Sequence, residues 1–371
     1  MALTNFAALT SEQKTAWSMD LWKHARNESF IAKFLGKGPN SLVQHVTELK
    51  KSEKGARAVM TLLADLEGDG IAGDRTLEGN EEAMKTYEQV IRIDQLRHAN
   101  RSKGRISDQK SIVEFRSNSR DVLAYWLADR IDQMAFLTLA GRSYAYKPNG
   151  TTRVGSDLQN LEFASDVTAP STNRAMRWDT STGLELVAAG SENALGDADV
   201  PKWDTFLELK KYAKENYIRG VKNGGDEVYH AFLTPMAMML LKQDDTFKQN
   251  VRYAQSRGSD NPLFTGSSVL IDGIMLHEFR HVPAWSSTSA DFGMNTALTN
   301  GAGSHILFCG AQALGMADIG NPEWVEKDFD YDNQHGISVS KMLGFLKPRF
   351  YNPVTATTED FGVINCLVSH N

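Results

Sequence analysis

Apolar residues recur along this chain with two periods, and the clearest run is helical. Leu123, Leu127, Ile131 and Met134 follow one another at three- and four-residue spacing within residues 108–140, which marks one buried helix face. Gly141 closes the run where a left-handed C-terminal residue is expected. About 32 residues at 1.5 Å each make a rod of roughly 48 Å, longer than a small domain is wide. Upstream, residues 1–57 read as an arm that contains a helix. Thr10 and Gln13 have capping-box spacing ahead of Trp17, Leu21 and Trp22. A second apolar cluster, Phe30, Ile31, Phe34 and Leu35, ends at Gly36-Lys37-Gly38-Pro39. A glycine–lysine pair can mark a phosphate loop. Here the spacing is wrong and Pro39 removes an N–H, so the segment is a turn.

Residues 58–104 change period. Ala58, Met60, Leu62 and Ala64 alternate with Val59, Thr61, Leu63 and Asp65, and an acidic, glycine-rich stretch follows to Asp74. Tyr87 to Leu96 then returns with Ile91 and Ile93 on one face. Strand, polar excursion and returning strand predict a long two-stranded protrusion. Residues 143–200 are rich in Ser, Thr, Asn, Asp and Gly and read as loops and short strands. Pro201 opens a helix bearing Trp203, Phe206, Leu209 and Ala213, and Val228 to Leu233 reads as a buried strand. Thr234-Pro235 caps a further helix with Met236, Leu240, Phe247 and Val251, ended by Gly258. Residues 262–283 hold a turn at Phe264-Thr265-Gly266, a strand from Val269 to Met275 and a stop at Pro283. No internal repeat interrupts the pattern.

Length and charge narrow the class. A chain of 371 residues exceeds what one compact core usually holds, so two lobes with extensions are expected. The net charge of −6 lacks the basic excess of a dedicated nucleic-acid binder. No apolar run reaches the ~18 residues of a transmembrane helix, and the start lacks the basic-then-apolar pattern of a signal peptide. Two cysteines, Cys309 and Cys366, make no disulfide framework and fit a reducing compartment. The charge is segregated. Residues 65–88 carry Asp65, Glu67, Asp69, Asp74, Glu78, Glu81, Glu82 and Glu88 against Arg75 and Lys85, a net of −6. Residues 97–120 carry Arg97, Arg101, Lys103, Arg105, Lys110, Arg116 and Arg120 against Asp108 and Glu114, a net of +5. Such complementarity fits an acidic protrusion of one subunit reaching a basic surface on the next, and it sets register more than affinity.

Two strings resemble metal chemistry. His277-Glu278-Phe279-Arg280-His281 matches the zinc-hydrolase pattern His-Glu-x-x-His, which needs a helix to aim both imidazoles at one ion. The preceding Val269-Leu270-Ile271 favours strand, Pro283 stops a helix, and no third ligand follows at a suitable distance. On a strand the two histidines stand about 13 Å apart. Asp65, Glu67, Asp69 and Gly70 imitate the opening of a calcium loop, but Thr76 occupies the place of the bidentate Glu. Neither string supports a metal, and no cofactor or catalytic residue is expected.

The stretch Leu66 to Gly79 resembles the major capsid family of the N-four-type coliphages. So do Glu81-Glu82, Arg97-His98-Ala99-Asn100-Arg101 and the long helix after Asp108. Tyr229 to Pro283 is similar to the axial lobe of tailed-phage capsid proteins more widely. The resemblance implies an α+β chain of the Hong Kong 97-type capsid fold. It divides the chain into an N-terminal arm (1–57), an extended loop (58–104) and a peripheral domain (105–200) built on a spine helix at 108–140. An axial domain (201–340) and a C-terminal return to the peripheral domain (341–371) complete it. It further implies a structural subunit that catalyses nothing and assembles with itself as pentamers and hexamers into an icosahedral head. In the virion it would touch packaged double-stranded DNA weakly, after assembly in the host cytoplasm, with portal, scaffold and decoration proteins as further partners and no membrane contact. The arm begins within about ten residues of Met1, so a separate scaffold or none is expected. Two other readings compete: an encapsulin-type nanocompartment shell of the same fold, and a zinc hydrolase using His277 and His281.

Overall fold

The computed structural model describes residues 11–46, 57–63, 68–84, 86–110, 114–187, 195–254, 269–286, 301–352 and 356–370. Helix α1 (Ser11–Glu28) opens the described chain, and a 3-10 turn at Ile31–Phe34 leads to strands β1 (Leu35–Gly36) and β2 (Val43–Val46). Thr10, and with it the expected capping box, lies outside the described residues. Asp132, on the long helix, fixes the chain as it leaves α1. Its carboxylate accepts from Ser29 Oγ at 2.7 Å and from the backbone N–H groups of Phe30 and Ile31 at 2.8 and 3.1 Å.

The alternating segment forms β3 (Arg57–Leu63), paired antiparallel with β4 (Thr86–Arg92). The chain bends at Ile93 and continues as β5 (Asp94–Arg101). Ala58, Met60 and Leu62 point inward and Val59 and Thr61 outward, so the period-two pattern becomes a two-faced ribbon. Two helices follow, α2 (Arg105–Lys110) and α3 (Phe115–Ala140). The rod expected from residue 108 is therefore shorter. Glu114 is extended, with φ −66° and ψ 115°, and the 26 residues of α3 span about 39 Å. Leu123, Leu127, Ile131 and Met134 are all buried. Gly141 ends α3 at φ 65°, where a Cβ would press on the Ala169 backbone at 2.9 Å.

After the 3-10 turns of the polar region come β6 (Ala175–Asp179) and β7 (Gly183–Leu186). Helix α4 (Trp203–Glu215), β8 (Val221–Asn223) and β9 (Asp226–Leu233) follow. The single helix expected after Thr234-Pro235 is two, α5 (Pro235–Gln243) and α6 (Asp245–Ala254). Asp244 breaks it in an extended conformation and accepts the Phe247 N–H, acting as a cap. The inward face of α5 is Ala237, Met238 and Leu241, while Met236 is exposed. Strands β10 (Val269–Ile271) and β11 (Ile274–Glu278) make a hairpin, and β12 (Ala284–Trp285) follows. The expected turn at 264–266 and the stop at Gly258 lie outside the described residues. Next come β13 (Gly303–Cys309), β14 (Leu314–Phe329), β15 (Gln334–Leu346), β16 (Arg349–Asn352), β17 (Thr357–Asp360) and β18 (Val363–Ser369).

Two sheets organise these elements. One has the order β1-β2-β14-β15-β5; the other runs β10-β11-β9-β13-β18-β6-β7, with β8 and β12 beside it. The larger sheet is covered twice. Phe206, Leu241 and Phe247 pack on one face with Ile306 and Phe308, while Phe136 and Leu139 of α3 share a cluster with Phe232, Leu307 and Leu367 on the other. Every residue of β13 and β18 is buried, as expected for strands covered on both faces, and the polar His305 and Asn365 within them bond each other at 2.7 Å. The expected boundary at 340/341 does not follow these sheets. β14 and β15 belong with β5 beside α3, whereas β18 returns to the sheet of β9. Partner choice among strands is set by long-range pairing, which apolar periodicity does not encode.

The base of the protruding ribbon rests on the smaller sheet. Ala58, Met60, Leu62, Ile91 and Ile93 form a cluster with Val46, Ala317 and Leu346. Gly315 and Gly344 permit this approach. A Cβ on Gly315 would meet the Met60 sulfur at 2.8 Å, and one on Gly344 would collide with the Arg92 carbonyl oxygen. The predicted two-stranded protrusion thus has a small core at its base, shared with its own sheet.

An aromatic clasp ties the turn at Ile31–Phe34 to the larger sheet. Phe30 stacks on Phe279 at 4.2 Å, and Phe34 meets Phe232, His230 and His277 edge-on at 5.0–5.4 Å. His230 Nδ1 and His277 Nε2 share a hydrogen bond of 2.9 Å. Burial lowers both imidazoles to about 4, and for His277 the neighbouring His230 and Lys33 add to it.

Two outcomes follow. Met60→Ala should cost about 2–5 kcal/mol at the ribbon base and speed amide exchange in 86–92 while leaving 363–369 protected; unchanged exchange at 86–92 would contradict the packing. The histidine pair is neutral when folded, with values below the unfolded ~6.5. Its contribution is complete above that value and is lost as pH falls towards 4. The thermal midpoint should therefore drop over pH 6.5 to 4, less steeply in His230→Gln/His277→Gln. An equal slope in that variant would contradict the assignment.

Candidate assembly surfaces

The ribbon carries its acidic residues away from the body. From Gly68 to Met84 every described residue is exposed except the half-buried Ile71. The described hydrogen bonds of this excursion close within it. Gly68 N donates to Glu82 Oε2 at 2.7 Å, Gly79 N to Glu81 Oε2 at 2.8 Å and Asn80 N to the Leu77 carbonyl at 2.9 Å. Gly70, Gly73 and Gly79 adopt φ of 73°, 72° and 91°, which shapes turns without packing. Asp69, Asp74 and Glu78 point to solvent, and so do Leu77 and Met84, at 61 % and 68 % exposure. Apolar side chains this open on an acidic loop suit burial against another molecule. Asp65 and Glu67 lie outside the described residues.

The basic segment is divided by the fold. Arg116 pairs with Glu326 at 2.8 Å, and Arg120 pairs with Asp20 and Asp121 at 2.7 and 2.8 Å. Arg101 lies over the Phe329 ring at 4.2 Å, and Arg105 Nε donates to the Asp332 carbonyl at 3.1 Å. These four tie α2, α3 and β5 to α1 and to the β14–β15 hairpin within one chain. Arg97, Lys103 and Lys110 are exposed and form no ion pair among the described residues. Among the described residues the structure therefore does not bring the acidic and basic segments together within one copy, and three of the seven bases form no ion pair there. Spacing alone does not distinguish these roles, because the partners Asp20, Glu326 and Phe329 are distant in sequence.

The tip of the β14–β15 hairpin is a second projecting feature that periodicity did not mark. Asp330, Tyr331 and Asp332 all have left-handed φ of 50–64°, and Tyr331 is fully exposed.

The zinc reading fails on geometry. His277 lies on strand β11 with Nε2 bonded to His230, whereas His281 follows a turn and bonds Asp129 at 2.7 Å. Glu278 sits 3.8 Å from Lys242. Among the described residues no three His, Cys, Asp or Glu side chains are grouped to hold a metal. The flanks of the acidic excursion are strands β3 and β4, not the helices of a calcium hand.

Comparison with known proteins identifies the family and the fold. A family model described as phage capsid protein matches residues 5–369. The major capsid protein of Pseudomonas phage KPP25 is 55 % identical over 370 residues, covering 99 % of this chain and 97 % of that protein. Among solved structures, the capsid of Ralstonia phage GP4 superposes with a TM-score of 0.75 at 23 % identity, covering 92 % of this chain and 91 % of the other. The cyanophage Pam1 capsid gives 0.69 at 16 % identity over 100 % and 96 %. The fold is that of the Hong Kong 97-type capsid proteins, whose named relatives are structural and not enzymes. On the family match and the close relative together, the chain belongs to the phage capsid protein family.

Proposed function

We propose that this chain, a major capsid protein, assembles as pentamers and hexamers into the icosahedral head of a tailed phage around double-stranded DNA. The observation that carries the assembly reading is the acidic excursion 68–84, exposed along almost its whole length and shaped by turn hydrogen bonds such as Gly68 to Glu82 and Gly79 to Glu81. A ribbon tip without a core gains order from a neighbour, and closed symmetry lets each copy both give and receive such a contact. In this reading residues 58–104 lie across the adjacent subunit. Asp69, Asp74, Glu78, Glu81 and Glu82 face its open bases, Arg97 and Lys103 first. Arg101, Arg105, Arg116 and Arg120 hold the receiving surface in shape. The virion is the chain's final location, reached by assembly in the host cytoplasm. Portal, scaffold and decoration proteins fit the same shell as partners, and the net charge of −6 suits a wall that touches packaged DNA only weakly.

Charge reversal tests this directly. Glu81→Lys/Glu82→Lys should leave the subunit folded, by circular dichroism and thermal midpoint, while reducing the yield of closed shells in electron micrographs by about tenfold or more. Wild-type yields from the double variant would count against the proposed contact.

A further inference from the structure

A second basic site exists that no stretch of sequence announces, because three separate segments build it. Arg130 comes from the middle of α3, Arg153 from the loop after it and Arg280 from the turn after β11. Arg130 Nη1 and Arg153 Nη2 both donate to the side-chain oxygen of Gln133, at 2.8 and 2.6 Å. Arg280 Nη2 donates to Asp129 Oδ1 at 3.0 Å, beside His281 Nε2 at 2.7 Å. Asp129 Oδ2 accepts from Gln133 Nε2 at 2.7 Å and stands 3.8 Å from Arg130. Arg153 Nε donates to the Tyr146 carbonyl at 3.0 Å. Two guanidiniums therefore stand at one carboxylate, and the third, Arg153, joins them through Gln133. The next acid along the helix, Asp132, is buried and turned to Ser29, Phe30 and Ile31.

Like charges crowd here: Arg130 and Arg153 bond the same amide oxygen of Gln133. Burial lowers Arg153 to about 10, and the charge of Arg130 pushes the same way against the attraction of Asp129. Two like charges share one amide oxygen, and most guanidinium N–H donors form no hydrogen bond among the described residues. Such forks match a carboxylate in two parallel hydrogen bonds. Val154, beside Arg153 in sequence, is 94 % exposed, and an open apolar side chain next to a charged socket is the composition of a protein contact. A nucleic-acid surface would instead need a broad basic stripe without an acid in its floor.

We propose that Arg130, Arg153 and Arg280 form a socket that binds a carboxylate of a second copy of the chain, supplied by its excursion 68–84. This rests on the reading of the chain as a shell subunit. The acid comes from the same sequence, which exposes Asp69, Asp74, Glu78, Glu81 and Glu82 on the excursion 68–84. The socket is distinct from Arg97 and Lys103 and gives the excursion a second point of hold.

The test uses Arg280→Glu, because Arg280 is 73 % exposed and its replacement spares the core, alongside Arg130→Gln/Arg153→Gln. Both should assemble about tenfold less than wild type by light scattering at low salt. Arg280→Glu combined with Glu81→Lys/Glu82→Lys should assemble better than Glu81→Lys/Glu82→Lys alone, a rescue of the socket contact only. Shell formation by both variants at the wild-type rate, while wild type forms shells, would overturn the socket and leave the shell reading standing. Absence of wild-type shells would overturn both. Normal shells that fail only to retain nucleic acid would assign the socket to phosphate and also overturn it. If the glutamine pair unfolds, Arg280→Glu and its rescue decide alone.

Discussion

A two-stranded ribbon has too little interior to stand alone, and this fold meets that constraint by carrying the ribbon on the backbone of its own sheet. Gly315 and Gly344 leave no side chain between β14–β15 and the strands above them, so Met60 and Ile91 seat directly on the sheet. The apolar support ends at that base. Beyond it residues 68–84 run out into water as an acidic, turn-shaped loop, exposed throughout except for the half-buried Ile71. Base and tip therefore differ: the base has its partner within its own subunit, and the tip is left for the neighbour that the proposed shell supplies.

The remainder of the molecule is a rigid mount for that ribbon. Helix α3 touches both sheets, and Asp132 near its centre gathers the chain that leaves α1. Buried ion pairs reinforce the frame: Lys347 with Asp360 at 2.8 Å, Arg174 with Glu359 at 2.9 Å, and Lys341 with Asp318 at 2.7 Å beneath Trp22. Removing one member of such a pair leaves a desolvated charge, so they constrain geometry more than they add net stability. Their value here is register: Lys341–Asp318 joins β15 to β14, Lys347–Asp360 joins the ends of β15 and β17, and Arg174–Glu359 ties the turn before β6 to β17.

Local chemistry made part of this legible in the amino-acid sequence. The alternation through Ala58, Met60 and Leu62, the helical face of Leu123 to Met134, the Gly141 stop and the Thr234-Pro235 cap are encoded within a few residues, and each appears in the structure. The strand character of Val269 to Met275 also disposed of the His-Glu-x-x-His string. What stayed hidden depends on contacts distant in sequence. Glu114 and Asp244 break helices that periodicity alone would continue. The pairing of β15 with β5 and of β13 with β18 decides which lobe each strand joins. Among the bases, Arg116 and Arg120 looked as available as Arg97 until the fold supplied Glu326 and Asp20. The Arg130–Arg153–Arg280 cluster has no sequence signal, since its members lie in three segments.

The central claim is that residues 68–84 acquire their order from another copy of the chain. Amide hydrogen exchange, compared between the free subunit and purified shells, reads this without mutation. The account predicts rapid exchange across 68–84 in the free subunit and clear protection in the shell, with β13 and β18 protected in both. Equal exchange of 68–84 in the two states, or protection already present in the free subunit, would contradict it.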